Sequence, residues 1–413
     1  MAEQQLQYLL LTHVPTYAGQ SPGVVRVTDA FRHDLLAQAT ALRQAGFELT
    51  LATPRHDAPD AKALSREQFV DVRLADHGIT DAPLPAYRTM PQFVAARSAL
   101  EKAIVGAAKQ ADVAQMGAGG HPTALGQVAW PLVDPKRSKR IFVFAGDPLP
   151  GRRRAIVSGR NPAKRLAKGL AVRAFEAFCR QAVREADLVF AHDPAVQKRF
   201  ARDWSGRCHT FGLPPMGDAD LAGPRPVAQR QKRLAEAKRA LRLIAVGDAV
   251  VTGGMDHLLQ ALAKARRLGA TWTLAVAGPT PARAVRQLAD SLDLGHVVTW
   301  DAEWSAEADA ADAFIAAPLV PGENPTIYLA AGRGLPIITY QSGPADAALT
   351  NVGGAVGVER GDKDLLAQAL LDLGRDRDRL ATLAAAARDW AAGVTRDGVH
   401  RARAGLVRGA LES

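Results

Sequence analysis

Two hydrophobic rhythms alternate along the chain. Short, nearly continuous apolar runs recur, and stretches in which apolar residues return every three or four positions follow them. The first kind fits strands buried on both faces, and the second fits amphipathic helices. Gln7 to Thr12 reads as a strand, and a loop with Gly19 and Gly23 follows. Ala30 to Ala45 reads as a helix ending near Gly46, and Phe47 to Ala52 as the next strand. Further strands are predicted at Val113 to Met116, Arg140 to Phe144 and Leu188 to Ala191, with a helix through Ala171 to Ala186 before the last. Residues 216–240 break the rhythm with Gly, Pro, Gln, Lys and Arg, and only their later part reads as helical. It restarts with a strand at Leu241 to Val246, a glycine turn and a helix from Met255 to Leu268. Strands follow at Thr273 to Ala277, His296 to Trp300, Ala313 to Ala317 and Ile337 to Tyr340, and Asp376 to Leu411 is Ala/Arg-rich and helical.

This alternation predicts an α/β chain built of two Rossmann-like domains, each a doubly wound parallel sheet. The expected division is residues 1–215, a connector at 216–240, a second domain at 241–385, and a helical segment at 386–413 that packs back toward the first domain. Ligands of open α/β sheets lie beyond the carboxyl ends of the strands. Two such domains facing each other leave a cleft that suits transfer between a donor on one wall and an acceptor on the other.

The stretch from Pro321 to Pro336, PGENPTIYLAAGRGLP, is the richest in local signals. Asn324 can cap a helix and Pro325 suits its first position, where no N–H is needed. Gly334 suits the helix exit, and Pro336 prevents continuation. Glu323 then stands beside a helix N-terminus, whose unpaired N–H groups can hold a phosphate or a sugar hydroxyl. A carboxylate next to an anion site points to hydroxyl recognition, as in ribose binding; charge compensation of the helix end is the plainer use.

These residues resemble the donor motif of retaining GT-B glycosyltransferases of family 4. Glu323, Pro325, Gly334 and Pro336 match it. The motif's second glutamate has no counterpart, since counting from either end reaches Ala331 or Leu329. LLTHVPTY with the Gly19/Gly23 loop, ADLVFAHDPAVQKRF, HTFGLPPMGD, RLIAVGDAVVTGGMDHLLQAL and WTLAVAGPTP are similar to successive parts of that family in order and spacing. The resemblance implies a GT-B fold, a nucleotide-sugar donor on the second domain, retention of configuration, and no cofactor or obligatory metal. Donor contacts would come from Glu323, Asn324, Pro325 and Thr326, and from Gly247, Thr252, Gly253 and Gly254. Where the family carries two cations for the diphosphate, this chain has Asp248 and Gly253, with no Lys or Arg between Leu243 and Ala263. One like-charge contact near a diphosphate costs about 1 to 4 kcal/mol at 4 Å under intermediate screening.

In the first half the resemblance makes His121 and Asp147 the catalytic candidates. Helix entry before Pro122 competes for His121, and Asp-Pro turn chemistry competes for Asp147. Thr12 and His13 end the first strand, and Gly19 and Gly23 could let backbone approach a ligand; these are the cleft candidates. No P-loop, zinc-ligand cluster or His-Glu-x-x-His occurs.

Charge adds an acceptor expectation. Of the net +10, residues 1–215 carry 29 Lys/Arg against 19 Asp/Glu, whereas residues 241–413 carry 17 against 20. Between Lys136 and Arg173 there are twelve Lys/Arg against Asp147 alone. The patch formed by Arg152, Arg153, Arg154, Arg160, Lys164, Arg165 and Lys168 points to an acidic or lipid-linked glycan acceptor or an anionic membrane. A solvated charged surface explains it equally well. Stacking aromatics are not interleaved with these cations, so nucleic acid is not the expected partner. The start of the chain lacks a signal-peptide pattern, and no apolar run reaches the roughly 18 residues of a spanning helix. The two cysteines, Cys179 and Cys208, make no disulfide framework. A cytoplasmic location, peripheral at the inner membrane face, is expected. The reading is a glycosyltransferase acting on a glycan or lipid-linked acceptor. Two alternatives stay open: a weak or inactive GT-B protein serving as a binding partner or scaffold, and an enzyme with an unusual donor.

Overall fold

The computed structural model describes residues 5–412 except 66, 120–123, 147, 150–161, 193, 203–205, 213, 236–238, 248–253, 279–282 and 321–323. It divides into two compact units, one of residues 1–212 with 399–413, the other of residues 213–398.

The first unit is organised around a parallel sheet. Its strands run in the order Cys208–Thr210, Leu188–Ala191, Lys139–Phe144, Val113–Gly117, Leu6–Leu11, Phe47–Ala52 and Ile79–Asp81. The inner strands bury almost every side chain, because helices cover both faces; this is why they read as unbroken apolar runs. Thr28 caps the Asp29–Gln44 helix by accepting from the Phe31 N–H at 3.3 Å, and Asp29 and Arg43 match its dipole at either end.

A second, five-stranded sheet of mixed direction is built from Phe69–Arg73, Val24–Thr28, Thr16–Ala18, Pro54–His56 and Leu84–Pro85. The expected glycine loop is the tip of a hairpin in this sheet. Gly19 donates to the Val24 carbonyl at 3.1 Å, and a Cβ at Gly19 would press on that same oxygen. Gly23 has φ +75, which its lack of a side chain permits.

The last helix, Arg396–Glu412, returns to the first unit from Val399 onward. Ala404 and Val407 join a core with Tyr8, Leu10, Leu35 and Phe47. The His400 Nε2 lies 2.9 Å from Asp34 Oδ1, and the Arg403 guanidinium sits over the Phe190 ring, 4.7 Å from its centre.

The second unit holds one parallel sheet in the order Val298–Ala302, Trp272–Ala277, Leu241–Val246, Ala313–Ala316, Ile337–Tyr340 and Ala355–Val358. Residues 216–240 belong to this unit and contain the Pro224–Ala235 helix. That helix delivers Arg230, which is fully buried. Its guanidinium donates to the carbonyls of Ala311 at 3.0 Å, Ala308 at 2.8 Å, Arg333 at 2.5 Å and Gly334 at 3.0 Å. Nearby, buried Asp312 accepts from Arg239 at 2.5 Å and from the Arg242 N–H at 2.9 Å. Among the described residues, no helix is long and apolar enough to cross a membrane.

Replacing Arg230 by alanine takes the guanidinium donors away from four carbonyls at once, three of them in buried hydrogen bonds. The expected loss is about 3 kcal/mol or more of the second unit's stability, read from the urea midpoint. A midpoint equal to wild type contradicts this account.

Candidate functional site

The carboxyl ends of the second unit's strands converge on two helix N-termini. The first strand of this unit, Leu241–Val246, ends at Gly247, whose N–H donates to the Ala277 carbonyl at 2.7 Å. The helix Met255–Arg267 opens at Gly254 with φ +111, a conformation that excludes ordinary side chains. A Cβ at Gly254 would overlap the carbonyl oxygen of Ala317, just past the Ala313–Ala316 strand. Gly278, at φ +104, ends the Trp272–Ala277 strand against the Gly247 carbonyl in the same way. Glycines therefore let three strand ends and one helix start approach at backbone distance. Among the described residues no side chain caps that start. Its first-turn N–H groups, with the positive end of the helix dipole, make a place for an anion.

The second N-terminus belongs to Pro325–Gly332. Asn324 caps it, accepting from the Thr326 N–H at 3.1 Å and from the Thr326 hydroxyl at 2.7 Å. The Asn324 and Thr326 side chains thus hold each other. Ala330 and Ala331 are fully buried, and Tyr328 stacks on Trp390 with ring centres 5.2 Å apart. A carboxylate at position 331 would be buried in this apolar packing, so the helix is shaped as a core element without the second glutamate. Arg333 stands at the opposite end of the helix, 3.4 Å from Asp309. It does not supply the cation absent from residues 244–262.

Tyr340 and His257 lie at the same strand edge, and the sequence pattern did not single out either. Tyr340 is fully buried, and its hydroxyl has no hydrogen-bond partner among the described residues; the same holds for Nδ1 of His257. Their rings meet edge to face at 6.3 Å. Burial pushes the Tyr340 hydroxyl up to about 12, so it stays a donor at neutral pH. A buried donor without an acceptor invites water or a ligand atom. Only a polar residue ending an apolar strand could have signalled it from sequence.

In the first unit, Thr12 and His13 follow the Leu6–Leu11 strand. The Thr12 N–H donates to the Ala52 carbonyl at 3.1 Å, and its hydroxyl accepts from the Val14 N–H at 3.4 Å. The His13 ring lies on the Gly119 backbone so closely that a Cβ at Gly119 would overlap it. Partial burial lowers the His13 pKa below 6.5 even though solvent still reaches the ring. At neutral pH His13 is therefore mainly uncharged, at the end of the Leu6–Leu11 strand. His192 ends the Leu188–Ala191 strand, with Nδ1 3.1 Å from the Phe211 carbonyl oxygen. Burial first, then the nearby Arg403 charge, brings it down to about 4. Gly19 and Gly23 serve the hairpin turn.

His121, Asp147, Glu323, Thr252 and Gly253 lie outside the described residues, as do Arg152, Arg153, Arg154 and Arg160. Arg165 and Lys168 are exposed on the Pro162–Glu185 helix. Among the described residues no group of three His, Cys, Asp or Glu is arranged to hold a metal ion.

The chain has the GT-B fold. A glycosyltransferase from Rickettsia africae matches 99% of this chain and 100% of its own, with a TM-score of 0.64 at 14% identity. Anabaena HepE in complex with UDP matches 97% of this chain and 98% of its own, with a TM-score of 0.60 at 15% identity. More particularly, residues 240–376 match the family model described as Glycosyl transferases group 1. A GDP-mannose-dependent alpha-(1-6)-phosphatidylinositol monomannoside mannosyltransferase of Mycobacterium tuberculosis is 27% identical over 223 residues. That alignment spans 49% of this chain and 57% of the relative, so the chain matches little more than half of it.

Two outcomes follow. Gly254→Ala is expected to cost about 2 kcal/mol or more in chemical denaturation, because it combines a left-handed φ with a clash; a neutral effect refutes the tight approach to Ala317. For His13, the ring should titrate below 6.5 by NMR. Its lowered folded pKa means that stability falls as pH drops below the unfolded value, and a midpoint above 6.5 contradicts the packing on Gly119.

Proposed function

We propose that this protein is a glycosyltransferase. It moves a sugar from a nucleotide-sugar bound by the second unit to a glycan or lipid-linked acceptor bound by the first, with retention of configuration. The observation that carries this reading is the uncapped helix start at Gly254, set by glycines among the strand ends of the segment that matches the glycosyl transferases group 1 model. Its N–H groups receive the diphosphate as the glycosidic bond to the donor breaks, stabilising the leaving charge without a metal or cofactor. Glu323 takes the ribose or sugar hydroxyls, next to the helix that Asn324 caps. His121 and Asp147 are the catalytic residues of this proposal, and Thr12 and His13 its cleft residues in the first unit. The relative's GDP-mannose and phosphatidylinositol mannoside, and the neighbour's UDP, support a nucleotide-sugar donor and a lipid-linked acceptor. The surplus of cations in the first half supports an acidic acceptor and a cytoplasmic protein that is peripheral at an anionic membrane.

One observation favours a second reading. The two positions that could match the family's second carboxylate are Leu329 and the buried Ala331, and residues 244–262 contain no Lys or Arg. A weakly active or inactive GT-B protein that binds nucleotide-sugar as a scaffold fits both facts, as does an enzyme whose donor lacks a diphosphate.

Thermal shift with UDP, GDP, ADP, TDP and CMP, and with the matching sugar donors, separates these readings. A ligand at a hundred times its dissociation constant adds about 2.7 kcal/mol. Glu323→Gln should weaken that shift while leaving the unliganded melting temperature unchanged. A shift with no transfer to any lipid-linked acceptor supports the scaffold, and no shift with any nucleotide ends the nucleotide-sugar proposal.

A further inference from the structure

The Pro162–Glu185 helix changes character along its length. Phe175, Cys179, Ala182 and Val183 recur at helical spacing and enter the core of the first unit. Ahead of them, Arg165 to Lys168 are all exposed. Leu166 is 68% exposed and Leu170 57%. These two leucines are one turn apart, and Arg173 continues their row at the next turn. Leu166 precedes Phe175 by nine residues, two and a half turns, so the row lies opposite the buried face. Single exposed leucines are ordinary on a protein surface. An adjacent pair is not, when it sits within a segment of twelve Lys/Arg and one Asp. The other exposed pair one turn apart among the described residues, Met90 and Val94, has only two cations, Arg88 and Arg97, within seven positions on either side, where Leu166 and Leu170 have Arg160, Lys164, Arg165, Lys168 and Arg173.

Charge complementarity selects the occupant. A surface that is cationic and apolar at once fits an anionic lipid bilayer, whose phosphates meet the cations while its acyl boundary accepts the aliphatic side chains. We propose that the first turns of the Pro162–Glu185 helix dock the protein on an anionic membrane, with Leu166 and Leu170 inserted between headgroups and Arg165, Lys168 and Arg173 against lipid phosphates. This deepens the lipid-linked acceptor reading and rests on it: the enzyme is held at the surface where its acceptor resides. Insertion separates the device from a cationic coat, because the leucine contribution persists when salt screens the charges.

The test is cosedimentation of the full chain with phosphatidylcholine vesicles, with and without phosphatidylglycerol. Binding is expected only with phosphatidylglycerol. The double change Leu166→Ser and Leu170→Ser should weaken it about tenfold or more at about 0.15 M salt, without moving the melting temperature, since both side chains are already in solvent. Arg165→Glu with Lys168→Glu and Arg173→Glu should abolish it. Tryptophan at position 166 (L166W) should shift its emission to the blue on phosphatidylglycerol vesicles. As a control, Met90→Ser with Val94→Ser should bind like wild type. Wild type that ignores phosphatidylglycerol vesicles overturns the proposal, as does a leucine variant that binds normally or a control variant that loses as much. Nucleotide thermal shifts on the same preparations keep the two questions apart. Vesicle binding without a nucleotide shift leaves the docking helix and removes the transferase reading, and the reverse pattern does the opposite.

Discussion

One guanidinium holds the second unit's architecture in place. Arg230 is buried without a carboxylate among its hydrogen-bond acceptors, and four carbonyl oxygens take its protons. Those oxygens lie at the ends of Trp304–Ala310 and Pro325–Gly332, where helix dipoles present partial negative charge. Burial lowers its pKa to about 10, which still leaves it charged at neutral pH. A lysine could reach some of these acceptors, but only a planar fork can meet so many from one point. The result is a clamp on the carboxyl end of the helix whose amino end carries Asn324 and the residues expected to hold the donor.

The strand-and-helix rhythm was readable because both parallel sheets are covered on each face. Their strands had to be apolar throughout, and only tight glycine turns could join them to helices. The Asn324 cap and the Gly334 exit, at φ +66, were readable for the same local reason. What stayed hidden depends on partners distant in sequence. The mixed five-stranded sheet is made of strands of two to five residues, too short to display a period. Nothing near Arg230 marks it among the other cations of residues 216–240, because its acceptors lie 78 to 104 positions away. The helical end of the chain read as one stretch, but it breaks between Gly393 and Arg396, and the two helices serve different units.

The donor side combines a well-formed backbone with sparse side-chain chemistry. Gly254 and Gly278 are forced by close approach of main chain, whereas the two positions where the family's cations would grip a diphosphate carry Asp248 and Gly253. In the proposed donor site, binding would lean on dipoles and peptide N–H groups, which are directional, fixed and independent of pH. Tyr340 and His257 add buried polar atoms without hydrogen-bond partners among the described residues to this edge.

The return of the final helix sets an order of events during synthesis. Residues 399–413 complete a core begun by Tyr8 and Leu10, and they emerge from the ribosome only after the whole of residues 213–398. A nascent first unit therefore waits with an apolar groove uncovered while the second unit can already close on itself. The usual amino-to-carboxyl sequence of cotranslational folding is inverted at this step, and the interval before residues 399–413 emerge is when the first unit most needs chaperone shelter.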